Sequence, residues 1–430
     1  MESESDLSQA ALSPTHTQMS KRSLYRMAFL KTVRGMKCGR LDLRLPEGEV
    51  VHFGKREGVA VQISVHEEAF FKRCALYGAV GLGESYVEGE WDTNDIRAVL
   101  EFFIRNIAND EKMRNSSQRF KAVGWLRAVN RIGHWLRPNS LRTSRRNIAE
   151  HYDLGNEFYR LWLDPSMTYS GARFTSPEQS LESAQLAKYD ALCQKLRLQS
   201  SDHVLEIGCG WGGFSKYAAE NYGCRVTAVT ISQAQFDEAT ARIEAAGLSE
   251  LVEIRMQDYR EVKGSFDKIA SIEMLEAVGE KYLETYFAKC HEVLAPEGLL
   301  AVQMITVPDN EFEDLRRGTD FIQKHIFPGS LLLSVGRVNQ ALNQTGDLFL
   351  HGFEDLGAGY ARTLREWAQN FNAQLDAVQS QGFSNTFIRK WNYYLKYCEA
   401  AFATRNISVV QAVYTRPGNR GLHGEDGVAS

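Results

Sequence analysis

The residues best suited to chemistry lie in a glycine-rich turn that follows a short apolar segment. The sequence VLEIGCGWGG at residues 204–213 runs from an apolar strand into a turn that opens a helix. Glycines permit positive φ angles and let the backbone approach a ligand, while a helix N-terminus offers free N–H groups. Glu206 lies inside the strand, where its charge would repel a pyrophosphate but could bind an ammonium group or order the turn. The pattern predicts a nucleotide-type site at the carboxyl end of this strand.

The strands that follow the turn distinguish this site from a dinucleotide site. The second strand ends at Val229 and Thr230, without the acidic residue that usually binds an NAD ribose. Asp258 ends the third strand, where it is well placed for an adenine amino group. Together with the acid before the glycines, these features resemble motifs I to III of class I S-adenosylmethionine (SAM) methyltransferases.

Longer segments around the turn carry a more specific resemblance. They are FFKR at 70–73, GLGESYVEGEW at 81–91, HYDLGNEFY at 151–159, LDPSMTYS at 163–170, TISQAQ at 230–235, DYR at 258–260, FIQKHIFPG at 321–329 and YARTLREW at 360–367. These segments resemble the cyclopropane-fatty-acyl-phospholipid synthases, with the mycolic acid cyclopropane synthases as relatives. EMLEAVG at 273–279 and QMITVPD at 303–309 are most similar to the plant-type branch of that family.

The resemblance implies a reaction. The SAM methyl group is transferred to a cis double bond of an unsaturated phospholipid acyl chain, which gives a carbocation-like centre. A base then removes a proton from the added methyl group, and a cyclopropane ring closes. An alkene is a poor nucleophile, so the protein must align the methyl carbon with the π bond and exclude water. In this family the base is a bound bicarbonate, held by a cradle of polar residues.

The resemblance also assigns catalytic positions. Glu276 matches the acid of the bicarbonate cradle, Tyr360 its tyrosine, and Ile305 the residue that donates a backbone N–H. Gln303 stands where the family has a histidine of the cradle, and Gly171 stands where it has a cysteine. These two departures leave bicarbonate binding and ring closure open. Proton loss from a neighbouring carbon would instead give a methylated alkene or a methylene branch.

A further catalytic candidate lies near the C-terminus. Cys398 matches a cysteine that has been regarded as catalytic in the family. Its flanks in YLKYCEAAF at 394–402 are helical and apolar, so a buried structural thiol explains it at least as well.

The resemblance places twelve residues around SAM. They are Tyr169 and Ser170 near the methionine end, Glu206, Gly208, Gly210, Trp211 and Gly212 at the turn, Thr230, Ser232 and Gln235 on the ribose side, and Asp258 and Tyr259 at the adenine. No metal is expected, because no cluster of His, Asp or Glu has ligand spacing.

The elements that must position these residues follow from periodicity. Strand and helix patterns alternate from about residue 183, which predicts an α/β fold with a doubly wound parallel sheet. Strands are predicted at 203–207, 225–230, 251–256, 268–271 and 299–306, and helices at 213–222, 232–246 and 281–294. Upstream, alternation over 36–66 and helical spacing at 66–77 and 95–107 predict a smaller α+β domain.

Composition divides the chain into five parts. They are a disordered tail at 1–20, the N-terminal α+β domain at 21–112, a basic amphipathic linker at 113–150, the methyltransferase domain at 151–416 and a loose tail at 417–430. Between Lys112 and Ala149 there are ten basic residues and no Asp or Glu, whereas the rest of the chain has 40 basic and 54 acidic side chains. This segment either docks its apolar side on a neighbouring domain or lies on anionic lipid.

Composition also excludes several classes of protein. With 43% hydrophobic and 24% charged residues among 430, the chain is globular, and it lacks the long apolar run of a membrane-spanning helix. The N-terminus begins acidic and has no long apolar core, unlike a secretory signal. We therefore expect a cytoplasmic enzyme peripheral to the inner face of the membrane. Its expected partners are an unsaturated phospholipid and an anionic membrane surface, with no nucleic acid, and its N-terminal domain holds the protein at that surface or supports a homodimer.

Two rival functions stay open at the level of sequence. Some small-molecule N-methyltransferases share this core, so the acceptor need not be a lipid. Loss of the cradle's cysteine and histidine would also suit a degenerate protein that binds SAM or lipid without turnover.

Overall fold

The computed structural model describes residues 24–54, 60–108 and 154–422. The predicted tail at 1–20, the basic linker at 113–150 and residues 423–430 lie outside the described residues. Residues 151–153, which begin the segment HYDLGNEFY, also lie outside the described residues.

The N-terminal part contains a four-stranded sheet. Its strands are β1 (Arg40–Arg44), β2 (Val50–Gly54), β3 (Ala60–Val65) and β4 (Trp91–Asp92), in the order β2-β1-β3-β4. β1 pairs in parallel with β3, and the other pairs are antiparallel. Three helices accompany it: α1 (Leu24–Arg34), α2 (Ala69–Val87) and α3 (Ile96–Ala108). Alternate apolar residues of the strands are buried, as the period-2 pattern predicts.

A seven-stranded sheet forms the centre of the larger part. Its strands are β5 (His203–Ile207), β6 (Arg225–Thr230), β7 (Val252–Met256), β8 (Phe266–Ile272), β9 (Leu294–Thr306), β10 (Phe349–Asp355) and β11 (Ser408–Thr415). The order is β10-β11-β9-β8-β5-β6-β7. The strands from β9 to β7 are parallel, whereas β11 is antiparallel to both β9 and β10. The predicted α/β fold is confirmed, and the antiparallel edge is a feature that the sequence did not predict.

Twelve helices are described between Leu154 and Leu422, apart from short 3₁₀ turns. They are α4 (Asn156–Arg160), α5 (Leu181–Lys195), α6 (Gly213–Tyr222), α7 (Gln233–Ala245), α8 (Leu275–Val278), α9 (Leu283–Val293), α10 (Asp309–Arg317), α11 (Phe321–His325), α12 (Val335–Thr345), α13 (Gly357–Ala373), α14 (Leu375–Ser380) and α15 (Asn385–Ala403). Successive residues of β5 face opposite sides of the sheet, so Leu205 and Val204 belong to two different apolar clusters. The sheet is therefore covered on both faces, as a doubly wound fold requires.

The two sheets are joined through a shared apolar core. One cluster contains Trp91 of β4, Trp162, Trp367 of α13 and Trp391 of α15. On α15, Arg389 donates to the backbone oxygens of Tyr86 and Trp91, at 2.7 and 3.0 Å. The N-terminal part is thus packed against helices that lie between β10 and β11 in the chain, and the domain boundary near residue 112 stays a prediction.

Two further observations concern the C-terminal end and the question of a membrane-spanning helix. Asn419 and Leu422 are buried, so the part of the predicted loose tail that the structure describes packs onto the fold. Within the described ranges, none of the helices combines the length and apolar character needed to cross a bilayer.

Candidate active site

A cavity of about 360 Å³ extends from the glycine turn to the C-terminal helices. Ten predicted cofactor residues line it: Tyr169, Ser170, Glu206, Gly208, Gly210, Trp211, Thr230, Gln235, Asp258 and Tyr259. The predicted catalytic residues Glu276, Ile305, Tyr360 and Cys398 line it as well. Gly212, Ser232 and Gln303 are not part of its wall. The predicted residues are therefore brought to one cavity, with three of them behind its surface.

The glycine turn forms the floor at one end. Gly208 and Gly210 have φ angles of 82° and 52°, in the region that favours glycine. The N–H groups of Gly208 and Cys209 both donate to the backbone oxygen of Val229 at the end of β6, at 3.0 and 3.2 Å. A Cβ atom placed on Gly210 would meet no heavy atom within 4 Å, so the space above the turn is open. The turn is therefore anchored at one side and free to contact a ligand at the other.

Glu206 is buried at the end of β5 and accepts a hydrogen bond from the Ser215 hydroxyl of α6. Burial raises the pKa of Glu206 to about 8, and the Ser215 bond and the charge of Lys188 oppose that rise. Trp211 of the turn is also buried, and its indole N–H donates to Asn156 at 2.8 Å.

The predicted ribose and adenine residues form the next part of the wall. Ser232 caps α7 by accepting from the N–H of Gln235, and the Thr230 hydroxyl donates to the side chain of Gln235 at 2.9 Å. Asp258 is buried and accepts from Nε and Nη2 of Arg260, at 2.8 and 2.7 Å. Its Oδ1 atom also accepts from the backbone N–H of Arg260 at 3.0 Å, so Asp258 caps the short turn that follows β7. Adenine binding by Asp258 stays a prediction.

These residues fit SAM. The open backbone of Gly210 admits a ligand close to the start of α6, at the carboxyl end of the first parallel strand. The cavity wall also carries the acids Glu206, Glu273 and Glu276, which suit a ligand with ammonium and sulfonium charges.

Glu273 is a partly buried acid that accepts three hydrogen bonds. Its Oε1 atom accepts from the Gly171 N–H and from Nε2 of Gln303, both at 2.8 Å. Its Oε2 atom accepts from the Tyr360 hydroxyl at 2.7 Å. Burial raises the pKa of Glu273, while these three donors and the charge of Lys188 counteract the rise.

The orientation of Gln303 is fixed by a chain of side chains behind the cavity. Gln303 on β9 is fully buried, and its Oε1 atom accepts from Nε2 of Gln411 on β11, at 3.0 Å. Lys195 of α5 donates to Oε1 of Gln411 at 2.6 Å. Each amide therefore has its oxygen directed to a donor, which leaves the Gln303 NH₂ group directed at Glu273.

Glu276 and Ile305 bind each other. The N–H of Ile305 donates to Oε1 of Glu276, which lies in the short helix α8. Oε2 of Glu276 is buried and makes no hydrogen bond within the described residues. Burial and the nearby charge of Glu273 raise the pKa of Glu276 to about 8. Of the two coupled acids, Glu273 has the donors that favour the ionised form, so Glu276 holds the proton at neutral pH.

The structure leaves no space for a side chain at position 171, where the family has a cysteine. A Cβ atom on Gly171 would lie 2.8 Å from Cδ1 of Tyr360 and 2.9 Å from its Cγ. The aromatic ring of Tyr360 therefore occupies the space that a side chain would need. The same residue contributes its N–H to Glu273, so it acts through its backbone.

Cys398 lines the apolar end of the cavity on α15. Burial strongly raises the pKa of its thiol, so the group is neutral at physiological pH. Nearby, the hydroxyls of Tyr169 and Tyr394 are 2.6 Å apart. A catalytic role for Cys398 stays a prediction, and its surroundings favour the structural alternative.

Sequence reasoning missed two charged residues of the site. Glu273 was part of a recognised motif, but its partners Gly171 and Tyr360 are distant in the chain. Lys188 of α5 is fully buried and donates to the Ser170 hydroxyl at 2.6 Å. Burial lowers the pKa of Lys188 to about 7, against the charges of Glu273, Asp164 and Glu206. The available signal was the acid at position 273 of the motif EMLEAVG, together with the departures from the family pattern at positions 171 and 303.

The chain is similar to known proteins over most of its length. Residues 139–412 match the family model described as mycolic acid cyclopropane synthetase. The chain is 36% identical over 387 residues to the tuberculostearic acid methyltransferase UfaA1 of Mycobacterium tuberculosis, with 88% of each chain covered. It is 35% identical over 376 residues to the cyclopropane-fatty-acyl-phospholipid synthase of Escherichia coli K12, with 85% of this chain and 92% of the relative covered.

A solved structure shows the same fold in the larger part. The mycolic acid cyclopropane synthase CmaA1, in complex with SAH and CTAB, is 27% identical, with a TM-score of 0.59. The superposition covers 63% of this chain and 98% of that protein.

Proposed function

Because this chain belongs to the mycolic acid cyclopropane synthetase family, we propose that it transfers the SAM methyl carbon to a cis double bond of a phospholipid acyl chain and closes a cyclopropane ring. The family resemblance expected from the sequence is confirmed, and with it a SAM-dependent methyltransferase of lipids. The chain is an enzyme, and it has the class I methyltransferase fold.

The observation that carries the proposal is the continuity of the cavity. Its wall at the glycine turn has the features that suit SAM, and the C-terminal helices α13 and α15 add apolar side chains to the same wall, among them Leu364 and Phe402. Glu273 and Glu276 line the same cavity. An acyl chain entering the apolar end would bring its double bond next to the methyl donor.

The bound SAM supplies an electrophilic methyl group, and the protein supplies position and charge. The buried wall excludes water from a reaction in which a carbocation forms. Carboxyl groups beside the acyl chain stabilise that positive charge as it develops. We assign this stabilising role to the ionised form of Glu276, whose Oε2 atom has no hydrogen-bond partner among the described residues.

A methyl-branched product is the second candidate. It is favoured by the 36% identity to a tuberculostearic acid methyltransferase over 88% of both chains. In this case methyl transfer is the same, but the cation either loses a proton from a neighbouring carbon to give a methylated alkene, or undergoes a hydride shift and loses a proton from the added methyl group to give a methylene branch.

The proposal also includes docking on a membrane. The ten basic residues between Lys112 and Ala149 lie outside the described residues, and their number without any acid favours an anionic lipid surface. Within the described part, α1 exposes Leu24 and Met27 and carries Lys31 and Arg34 in its last turn. We propose a peripheral enzyme at the inner face of the membrane, with the N-terminal part holding it there, and a homodimer is compatible with this arrangement.

The test uses vesicles of monounsaturated phospholipid and SAM with a trideuterated methyl group. Mass spectrometry of the acyl chains should show the added carbon with two deuterons, because ring closure removes one of the three. Mild hydrogenation should leave the product unchanged, since a cyclopropane fatty acyl chain has no carbon–carbon double bond to reduce. Vesicles of saturated phospholipid are the control.

Other outcomes decide between the alternatives. Three retained deuterons would mean proton loss from a neighbouring carbon, and two deuterons with uptake of hydrogen would mean a methylene branch. Absence of label from acyl chains, with label in a small amine, would overturn the lipid proposal in favour of N-methylation.

A further inference from the structure

We propose that the Glu273 carboxylate takes the place of the family's bicarbonate and is itself the base that removes the proton from the added methyl group. This inference rests on the proposed function, because the base acts on the methylated acyl chain. It assigns a catalytic role to a residue that the family pattern of this site does not provide.

The first argument is the set of donors around Glu273. The resemblance implies that an anion cradle is formed at positions 171, 276, 303, 305 and 360. In this chain the backbone N–H of Gly171, the amide of Gln303 and the hydroxyl of Tyr360 all donate to the Glu273 carboxylate. The cradle therefore holds an anion that belongs to the protein.

The second argument is that bicarbonate does not fit this arrangement. The remaining backbone donor, the N–H of Ile305, is bound to Glu276. A bicarbonate would have to displace a carboxylate from its three donors, and it would face the like charge of Glu273. The residues present therefore do not suit a bound bicarbonate, and we derive no step through one.

The third argument is the backbone at position 273. Glu273 has φ of 50°, in the left-handed region that favours glycine and costs other residues about 1 kcal/mol. A glutamate is retained there although glycine would be less strained. Non-glycine residues in this region tend to occur at functional sites, where the surrounding structure enforces the conformation.

The fourth argument is access. Glu273 lines the cavity and keeps part of its surface accessible, although its surroundings are buried. Its Oε1 atom accepts two hydrogen bonds and Oε2 accepts one, so Oε2 retains a free lone pair in this set of bonds. We therefore assign Oε2 as the atom that receives the proton.

Supporting residues hold the base in one orientation. Gln303 is fixed by Gln411, which in turn accepts from Lys195. The backbone N–H of Glu273 donates to the backbone oxygen of Gln303 at 2.7 Å. Gln303, Gln411 and Gly171 are positioning residues, since none of them lines the cavity.

The step balances without a further reactant. The π electrons of the acyl chain form a bond to the methyl carbon, the carbon–sulfur bond breaks, and its electron pair stays on sulfur. The C–H bond of the added methyl group then breaks, and its electrons form the second carbon–carbon bond of the ring. The proton moves to Oε2 of Glu273, next to the Tyr360 hydroxyl, and passes to solvent when the product leaves.

The test compares two variants that remove the same charge. Glu273→Gly opens space and frees the three donors, and glycine suits the backbone at this position. Glu273→Gln removes the charge but keeps the side-chain volume. In buffer freed of bicarbonate, we expect wild-type turnover to be unchanged and both variants to lose about 10²–10⁴-fold, the usual contribution of a general base. Bicarbonate or formate should restore turnover to Glu273→Gly and not to Glu273→Gln.

Anion binding gives a readout that does not depend on turnover. Equilibrium dialysis of radiolabelled formate against S-adenosylhomocysteine-loaded protein should show one bound anion for Glu273→Gly and none for the wild type or Glu273→Gln. Glu261→Gln changes an exposed acid and should behave as the wild type. Equal S-adenosylhomocysteine affinity in all four proteins excludes a general loss of structure.

Three outcomes would overturn the inference: wild-type turnover that requires bicarbonate, a bound anion in the wild type, or full turnover of Glu273→Gln without added anion. Failure of the proposed function has a different signature. The wild type would then modify no unsaturated acyl chain under any condition, while dialysis would still report whether Glu273 fills the cradle.

Discussion

The hydroxyl of Tyr360 lies 2.7 Å from Oε2 of Glu273, although 87 residues separate them in the chain. Tyr360 is on α13 and Glu273 directly follows β8, so the bond joins a helix packed against the sheet to the end of a central strand. The aromatic ring of Tyr360 also fills the space beside Gly171. One tyrosine thus sets both the protonation of the acid and the shape of the site around it.

Replacing Tyr360 by Phe should shift the pH dependence of turnover. The hydroxyl favours the ionised form of Glu273, so its loss raises the pKa of an acid whose pKa burial already raises. A hydrogen bond to a charged group contributes about 1.5–3 kcal/mol, which corresponds to a shift of about one to two pH units. The acidic limb of the turnover profile should move to higher pH by that amount, as measured from pH 5 to 9.

The control for this variant is Tyr393→Phe. Tyr393 is fully buried on α15, and its hydroxyl makes no hydrogen bond within the described residues. Its removal should leave the pH profile in place. An equal shift in both variants would mean that the change in Tyr360→Phe is not transmitted through Glu273.

Replacing Glu276 by Gln should separate turnover from cofactor binding. The pKa of Glu276 is raised to about 8, so at pH 7 the residue is mostly neutral and Gln resembles it in charge. SAM affinity at pH 7 should therefore change by less than about threefold. Turnover should fall severely, by about 10²-fold or more, because the reaction depends on the ionised fraction of Glu276 that stabilises the cation, and Gln has no ionised form.

The pH dependence of turnover shows which form of Glu276 supports the reaction. Wild-type turnover should rise as pH passes through about 8, since the carboxylate stabilises the cation better than the neutral acid. This rise should be absent from Glu276→Gln, as measured by steady-state kinetics and calorimetry. Equal losses of turnover and SAM affinity would instead make Glu276 a structural residue.

Local signals allowed the glycine turn and its strands to be predicted from sequence. The bounds of β5, β6 and α6 agree with the predicted ranges 203–207, 225–230 and 213–222. Each has a strong pattern of its own: a short buried apolar run for the strands, and glycines followed by helical spacing for α6. Ser232 likewise marks the start of α7 because a serine caps its first turn.

The antiparallel edge and the carboxylate cluster depend on distant contacts. β11 contains Gln411 in an otherwise buried apolar run, and β10 lies at the sheet edge with only partial burial. Neither has the clear alternation that would identify a strand. Glu273 receives its donors from positions 171, 303 and 360, and spacing along the chain does not show that these converge. Motif resemblance brought five cradle positions together, but it did not identify Glu273, the acid that binds the donors of three of them.

Adding a side chain at position 171 should disturb Tyr360. In Gly171→Ala the new Cβ atom would lie 2.8 Å from the tyrosine ring, so the ring must move away from Glu273. Overpacking of this kind costs about 1–3 kcal/mol. The thermal midpoint and turnover should both fall, as measured by calorimetry and a vesicle assay.

A second glycine provides the control for that variant. In Gly352→Ala, on β10, the nearest atom to the new Cβ is a side-chain carbon of Val413 at 3.7 Å, an ordinary contact. This variant should keep both thermal midpoint and turnover. Unchanged turnover in Gly171→Ala would show that Tyr360 can shift without effect on the reaction.

Neutralising Arg142, Arg145 and Arg146 to Gln should weaken binding to anionic vesicles. Each basic residue near an anionic surface contributes about 1 kcal/mol, and salt screens that attraction. Vesicle sedimentation should show the largest loss at low salt. A matched loss of charge in Arg255, Arg316 and Arg317, which form ion pairs elsewhere on the surface, is the control. Unchanged sedimentation of the first variant would remove these arginines from membrane docking.

Binding of S-adenosylhomocysteine should release a proton from Glu206 near neutral pH. The pKa of Glu206 is raised to about 8 in the free protein, so the acid is mostly neutral at pH 7. An ammonium group of the ligand favours the ionised form of Glu206, and the affinity for S-adenosylhomocysteine should therefore decrease as pH falls below 8.

A variant tests whether this dependence comes from Glu206. Ser215→Ala removes a hydrogen bond to Glu206, raises the pKa of Glu206 further and should move the decrease in affinity to higher pH. Calorimetry from pH 6 to 9.5 measures it, with Ser380→Ala, an exposed serine, as the control. A dependence on pH that is the same in Ser215→Ala and the wild type would mean that Glu206 orders the glycine turn without binding the ligand's ammonium group.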